Sequence, residues 1–341
     1  MGMIETVKEL EEILSEPSED VDDIIRNLKG NFVILGVAGK MGPTIAMMLA
    51  KSCLKTGMKK RITGVSRFSD RTVKKRLEQN GIETVECNLL EEESVRKLPD
   101  VDNVIFLAGM KFGATGKESL TWAMNTYVPA VAADRYRHSR IVALSTGNVY
   151  PFSKATGKGC SETDPIGPVG EYAQSCLGRE RMFQYFSEKN GTPVTIIRLN
   201  YAAELRYGVL IDIAEKVRAG LPVDLKMGYA NVIWQADANR AVIRSFTLCS
   251  SPPAILNLTG PEVISVRKIA ERFGNIFGRK PVFINKEGTT ALLSDSSKLC
   301  KTFGSPETGV EQMIEWTAHW LENGNPTLNK PTHFETTDGR F

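Results

Sequence analysis

The stretch Phe32-Val33-Ile34-Leu35-Gly36-Val37-Ala38-Gly39-Lys40-Met41-Gly42 decides the fold. Four apolar residues in a row suit a strand covered by helices on both faces. The apolar residues Ile45, Met48 and Leu49 then recur at helical spacing. Three glycines punctuate the turn between strand and helix. The first permits the tight turn, the second lets the backbone approach a pyrophosphate, and the third lets helix and strand pack closely. Main-chain N–H groups at a helix start, with the positive end of its dipole, attract phosphates. Gly36, Gly39, Lys40, Met41 and Gly42 are therefore the expected dinucleotide contacts. The bland alternative is that the glycines serve packing alone.

Outward from this turn, short apolar runs alternate with helical segments, the pattern of βαβ units. Strands are expected at 32–36, 61–66, 84–88, 103–107, 141–145 and 194–199, with helices at 43–56, 71–79, 119–137 and 171–190. The expected fold is α/β, a Rossmann-type doubly wound parallel sheet with a smaller C-terminal α/β substrate lobe. Residues 1–30 read as a helical arm, in which Ser18 can cap the second helix. Residues 31–200 read as the dinucleotide-binding domain, 201–325 mainly as the substrate lobe, and 326–341 as a tail. Within the lobe, helices are expected at 210–219, 238–249, 265–277 and 310–322, and short strands at 255–258 and 281–283. Trp316 and Trp320 read as lobe packing, and Asp237 as a helix cap.

The composition narrows the function classes. The chain has 341 residues, 42% hydrophobic and 24% charged, with 43 basic and 40 acidic side chains and a net charge of +3. So even a balance makes no electrostatic case for nucleic acid or an anionic membrane. Six scattered cysteines without a CxxC pair read as thiols of a reducing compartment. Three histidines, none near a cysteine cluster, argue against zinc. No apolar run approaches the roughly 20 residues of a membrane span. The acidic, amphipathic N-terminus is unlike a signal peptide. A cytoplasmic enzyme with a small-molecule substrate is expected.

The end of the second strand selects the cofactor. NAD-binding proteins place an acid there for the ribose hydroxyls. Here the chain reads Val65-Ser66-Arg67-Phe68-Ser69. Arg67 offers a planar fork suited to a 2′-phosphate. NADP is thus preferred over NAD, unless Arg67 is simply a solvated surface residue.

Several further segments fall into one pattern. They are Leu107-Ala108-Gly109, Asn125 in the long helix, and Leu144-Ser145-Thr146-Gly147-Asn148-Val149-Tyr150. To these add the run from Glu162 through Pro168 to Tyr172, then Arg198-Leu199-Asn200, and Asn257 through Glu262 to Val266. With its GxxGxxG turn, the chain resembles the extended short-chain dehydrogenase/reductase superfamily, in its NAD-dependent epimerase/dehydratase family. The resemblance implies a sugar-derived substrate lying over the strand ends. It implies that Thr146 hydrogen-bonds the substrate oxygen, that Tyr172 is the general acid or base, and that Asn125 completes the catalytic set. Ser66, Arg67, Asn88, Leu107, Ala108, Gly109 and Tyr172 would face the cofactor, and Lys111, Asn148 and Asn200 the substrate. Pairing of two chains through the helix bearing Tyr172 is also implied.

The pattern departs at one place. The family's lysine stands four residues after the tyrosine, where this chain has Cys176. Bringing a phenol from about 10 to about 7 takes roughly 4 kcal/mol of differential stabilisation, which a thiol does not supply. Lys111 is a candidate substitute, with a substrate-anion contact or a plain surface role as alternatives. Arg198 reads either as an anion holder or as half of an ion pair. The leading expectation is an NAD(P)-dependent oxidoreductase, epimerase or dehydratase. A redox-impaired dinucleotide sensor, and a non-redox elimination enzyme that retains the cofactor, stand beside it.

Overall fold

The computed structural model describes residues 2–111, 113 and 115–340, so Met1, Phe112, Ala114 and Phe341 lie outside the described residues. Two helices come first, α1 (Val7–Leu14) and α2 (Glu19–Asn27). Thr6 caps α1 in a capping box with Glu9. Ser18 stands before α2 but, against expectation, makes no capping bond; Glu19, Asp20 and Asp22 complement the helix dipole there instead. Then follow β1 (Phe32–Leu35), α3 (Gly42–Thr56), β2 (Ile62–Ser66), α4 (Arg71–Gln79), β3 (Glu83–Glu86), α5 (Glu92–Arg96) and β4 (Asn103–Phe106).

The helix expected over 119–137 is divided into α6 (Glu118–Trp122), a π-helical turn (Ala123–Tyr127) and α7 (Val128–Arg135). Pro129 supplies the physical reason, since it has no N–H for the carbonyl four residues earlier. Next come β5 (Arg140–Thr146), β6 (Ser153–Lys154), α8 (Gly170–Asn190), β7 (Val194–Leu199), β8 (Ala202–Ala203), α9 (Val209–Ala219), β9 (Pro222–Asp224), β10 (Tyr229–Ala230) and β11 (Ile233–Trp234). The chain ends through α10 (Gln235–Arg244), β12 (Ala254–Leu258), β13 (Ile264–Ser265), α11 (Val266–Ile276), β14 (Val282–Ile284), β15 (Thr290–Ala291), α12 (Ser297–Phe303) and α13 (Val310–Glu322).

Seven strands form one parallel sheet in the order β12-β7-β5-β4-β1-β2-β3. The order runs outward in both directions from β1 and β4, which is a doubly wound Rossmann arrangement. The pleat sends alternate side chains into two cores. Phe32 and Ile34 pack with Val21 and Ile25 of α2 and with α3 and α10, whereas Val33 and Leu35 pack with Ala132 of α7 and Phe183 of α8. A third core belongs to the smaller lobe, where α9, α11 and α13 enclose Trp234, Trp316 and Trp320. Leu10 and Leu14 of α1 join that core, so the N-terminal arm packs against both lobes.

One strand corrects the sequence reading. Residues 255–258 were expected in the substrate lobe, but β12 pairs with β7 and extends the main sheet. The small lobe is built from two stretches, one in the crossover from β7 to β12 (α9 and β8–β11) and one after β12 (α11, α13 and β13–β15), which is why the βαβ rhythm loosens after Asn200. Asp237 also differs from expectation. It lies inside α10, where its carboxylate accepts from the Thr308 N–H at 3.0 Å and pairs with Arg240 at 3.1 Å. Arg198 proves to be half of a buried ion pair. Its guanidinium lies 2.7 Å from Glu180, and the two side chains are 1% and 0% exposed. Among the described residues, no helix is long and apolar enough to cross a membrane.

Candidate active site

The C-terminal ends of β1, β4, β5 and β7 open onto one cavity of about 380 Å³. Doubly wound sheets bind ligands at such ends. Gly39, Lys40, Met41 and Gly42 line it from the glycine turn. A Cβ at Gly42 would stand 2.1 Å from the Val37 carbonyl oxygen, so α3 packs against the turn only because that residue is glycine. Gly36 has φ +84° and its Cβ would lie 2.7 Å from the Ala108 nitrogen. At Gly39, by contrast, a Cβ would meet only the Gly36 carbonyl oxygen, at 3.3 Å. This middle glycine is the one that leaves the backbone open to a ligand, and the cradle fits a diphosphate.

Leu107, Gly109 and Lys111 line the cavity from beyond β4, Thr146 and Asn148 from the end of β5, Tyr172 from α8, and Asn200 from beyond β7. Of the loop that carries Lys111, Phe112 and Ala114 lie outside the described residues. Gly36 and Ala108 pack on each other behind this lining. Ser66, Arg67 and Asn88 are not part of it; they stand at or just past the ends of β2 and β3. Arg67 is exposed. Asn88 accepts from the Leu90 N–H and donates to Glu91, forming a turn before α5.

Asn125 also stands behind the lining, and its amide is fully engaged. Its Nδ2 donates to the Met110 carbonyl at 2.8 Å and to Ser175 Oγ at 3.0 Å, while Oδ1 accepts from the Met110 N–H at 2.9 Å and Arg179 Nη2 at 2.7 Å. It holds the loop after β4 against α8.

The phenol of Tyr172 is hydrogen-bonded to Thr146 and to the thiol of Cys176. Loss of water around it, then the neighbouring thiol, push its pKa well above the ordinary value; Arg179 and Thr146 pull the other way. Cys176 is fully buried against Val149, Tyr150 and Cys160, and burial raises its pKa too. Both groups are neutral near pH 7, so neither is a ready base or nucleophile.

Sequence reasoning missed Arg179. It stands seven residues after Tyr172, two helical turns along the same face of α8. Its Nη1 donates to the Leu144 carbonyl at 2.8 Å, and the group reaches the cavity wall. A Cβ at Gly109 would lie 2.3 Å from its Nη2, so Gly109 makes room for it. A cation therefore does enter from α8, one turn beyond Cys176. The i+7 spacing was the signal available in the sequence.

Two lysines add charge. Lys40 Nζ lies 2.9 Å from the centre of the Tyr207 ring. Burial, then the ammonium groups of Lys111 and Lys330, bring its pKa down to about 7. Lys111 Nζ donates to the Thr332 carbonyl at 3.1 Å, and burial brings its pKa down to about 8. Tyr201, Tyr207 and Thr332 complete this side of the wall.

The profile of the NAD dependent epimerase/dehydratase family matches residues 32–223, more than half of the chain. The chain belongs to this epimerase/dehydratase family. Its fold is shared by solved structures at low identity. UDP-glucose 4-epimerase from Thermotoga maritima, solved with UDP-glucose, is 16% identical with a TM-score of 0.69, covering 86% of this chain and 99% of that one. UDP-glucuronic acid 4-epimerase from Bacillus cereus, in complex with UDP-glucuronic acid and NAD, is 15% identical with a TM-score of 0.69 over 86% and 99% of the two chains. Pal from Bacillus thuringiensis is 19% identical with a TM-score of 0.70 over 86% and 100%. No curated protein sequence matches the chain. In this chain α8 carries the thiol of Cys176 four residues after Tyr172, with Arg179 one turn beyond.

Proposed function

We propose that the chain is an NAD(P)-dependent oxidoreductase, epimerase or dehydratase acting on a sugar-derived substrate, with Tyr172 as its proton donor. One observation carries this reading: the glycine turn, the Thr146–Tyr172 pair and the Arg179 guanidinium all meet one cavity. Gly39 to Gly42 would hold the diphosphate, and Leu107 and Gly109 would flank the inner end of the dinucleotide. Bound there, the dinucleotide supplies or accepts a hydride at the substrate carbon. A substrate carbonyl oxygen between Thr146 and Tyr172 takes the phenol proton as its carbon is reduced. The charge left on the phenolate oxygen is then stabilised by the Thr146 hydroxyl and the field of Arg179. A phenol kept neutral by its surroundings suits this direction better than proton removal.

NADP remains the favoured cofactor. Arg67 is exposed just past β2, and the nearest following carboxylate, Asp70, is engaged in capping α4 through the Thr72 N–H at 2.9 Å. Pairing of two chains through α8 is supported by Trp122, Tyr127 and Tyr185, apolar rings exposed on α6, the π turn and α8. Four of the six cysteines are buried free thiols, which suits a reducing compartment.

The test is reduction of sugar-derived ketones with NADPH or NADH. Tyr172→Phe should lower turnover by about 10²–10⁴-fold, the usual worth of a positioned acid. Only the protonated phenol can donate, and its pKa is raised, so kcat at saturating substrate should not fall through neutral pH and should decline only on the alkaline side of an ordinary phenol. A kcat at saturating substrate that declines already through neutral pH, or full turnover by Tyr172→Phe, would remove Tyr172 from this role.

A further inference from the structure

The C-terminal tail closes one side of the cavity. The Thr332 N–H and hydroxyl donate to Asp212, in the first turn of α9, at 2.8 and 2.5 Å. Phe334 is 1% exposed within the lobe core. Farther on, Gly339 packs so tightly on the main chain at Val169 and Gly170 that a Cβ there would stand 2.2 Å from the Val169 carbonyl oxygen. The tail thus runs from the start of α9 to the start of α8, and Thr332 forms part of the cavity wall. At about 380 Å³ the cavity is near the small end of ligand pockets, which span about 300–1,000 Å³. It must also admit the inner end of a dinucleotide, and what remains suits a small molecule without a nucleotide.

Two lysines stand on the cavity wall, and the Asp212 carboxylate behind the wall favours the charged form of both. Lys40 comes from the glycine turn and Lys111 from the loop after β4, and the ammonium of Lys111 bears on Lys40. Their ends lie among rings, Lys40 over Tyr207 and Lys111 at 5.9 and 6.0 Å from the centres of Tyr172 and Tyr201. Resting on the reading that the dinucleotide occupies the glycine turn, we propose that the substrate is a small hydroxy acid, free of any nucleotide, whose carboxylate lies between Lys40 and Lys111. An anion there relieves the repulsion between the two ammonium groups and draws a charge-assisted hydrogen bond from each. Burial lowers the pKa of both amines, and a carboxylate between them would favour their charged forms.

Calorimetric titration of the full-length protein, with and without NADP, tests this. D-galacturonate and D-gluconate serve as acid probes against D-galactose, D-galactose 1-phosphate and UDP-glucose. The acids should bind at least about tenfold more tightly than D-galactose, since each 1.4 kcal/mol is tenfold. Lys111→Met should erase that preference, and Lys111→Arg should retain it. Tighter binding of the neutral sugar, the sugar phosphate or UDP-glucose would overturn the proposal, as would no acid binding or an acid preference that survives Lys111→Met. Dinucleotide affinity is read from the same sample. Its absence defeats the reading on which the proposal rests, whereas dinucleotide binding without acid preference defeats the proposal alone.

Discussion

Arg179→Met is expected to lower turnover near neutral pH by about 10²-fold, the scale of losing one preorganised electrostatic stabiliser. The guanidinium favours the phenolate of Tyr172, and its removal leaves the phenol even harder to ionise. In the substrate-oxidising direction, where the phenolate is the active form, the rise of rate with pH should shift to higher pH. Arg179→Lys should restore part of the profile because it keeps the charge. Gly109→Ala should mimic the loss with Arg179 intact, since the new Cβ would fall 2.3 Å from Nη2 and drive the group away. Arg179 also bonds the Leu144 carbonyl and Asn125, so a purely structural role has its own signature. It would appear as lowered stability with an unmoved pH profile, and steady-state rates across pH beside a melting curve separate the two.

The largest stability effect is expected at Arg198→Met. Glu180 would be left charged, 0% exposed and without its ion-pair partner, which typically costs about 3–5 kcal/mol. Ser145 Oγ still donates to Glu180 at 2.7 Å, but a hydroxyl does not offset a buried charge. The loss extends further, because Arg198 Nη1 donates to Tyr150 and the Tyr150 hydroxyl to Asn257, so the network joins β5, α8, β7 and β12. Pairing Arg198→Met with Glu180→Leu should recover much of the stability by removing both charges. Denaturant unfolding reads these changes, and an Arg198→Met variant within about 1 kcal/mol of the parent chain would contradict this account of the buried ion pair.

The main sheet was legible because its strands are short apolar runs broken by helical periods, and β7 and α4 fall where the pattern sets them. The glycine turn was legible because backbone sterics restrict Gly36 and Gly42 to one residue type. β12 was not, since the chain first builds part of a lobe and no local signal says which sheet a five-residue apolar run will join. Thr146, Tyr172 and Asn200 meet the cavity as expected from their motif. Asn125 belongs to the same motif, yet its hydrogen bonds make it a support for Met110 and Arg179. The tail offered no periodicity, and its place on the cavity wall depends on contacts made by Thr332, Phe334 and Gly339 with residues distant in sequence. Arg179 was hidden because attention falls on the vacant position at Cys176, although helical geometry brings the residue three further on to the same wall.

Equilibrium titration of the purified chain with NADPH and NADH, followed by nicotinamide fluorescence, tests the glycine-turn reading most directly. Roughly micromolar binding is expected, within the usual range for enzyme ligands, with NADPH tighter than NADH. Arg67→Ala should remove most of that difference, because the exposed fork is the group offered to the 2′-phosphate. If neither dinucleotide binds at millimolar concentration, the function assigned to Gly36, Gly39 and Gly42 is contradicted.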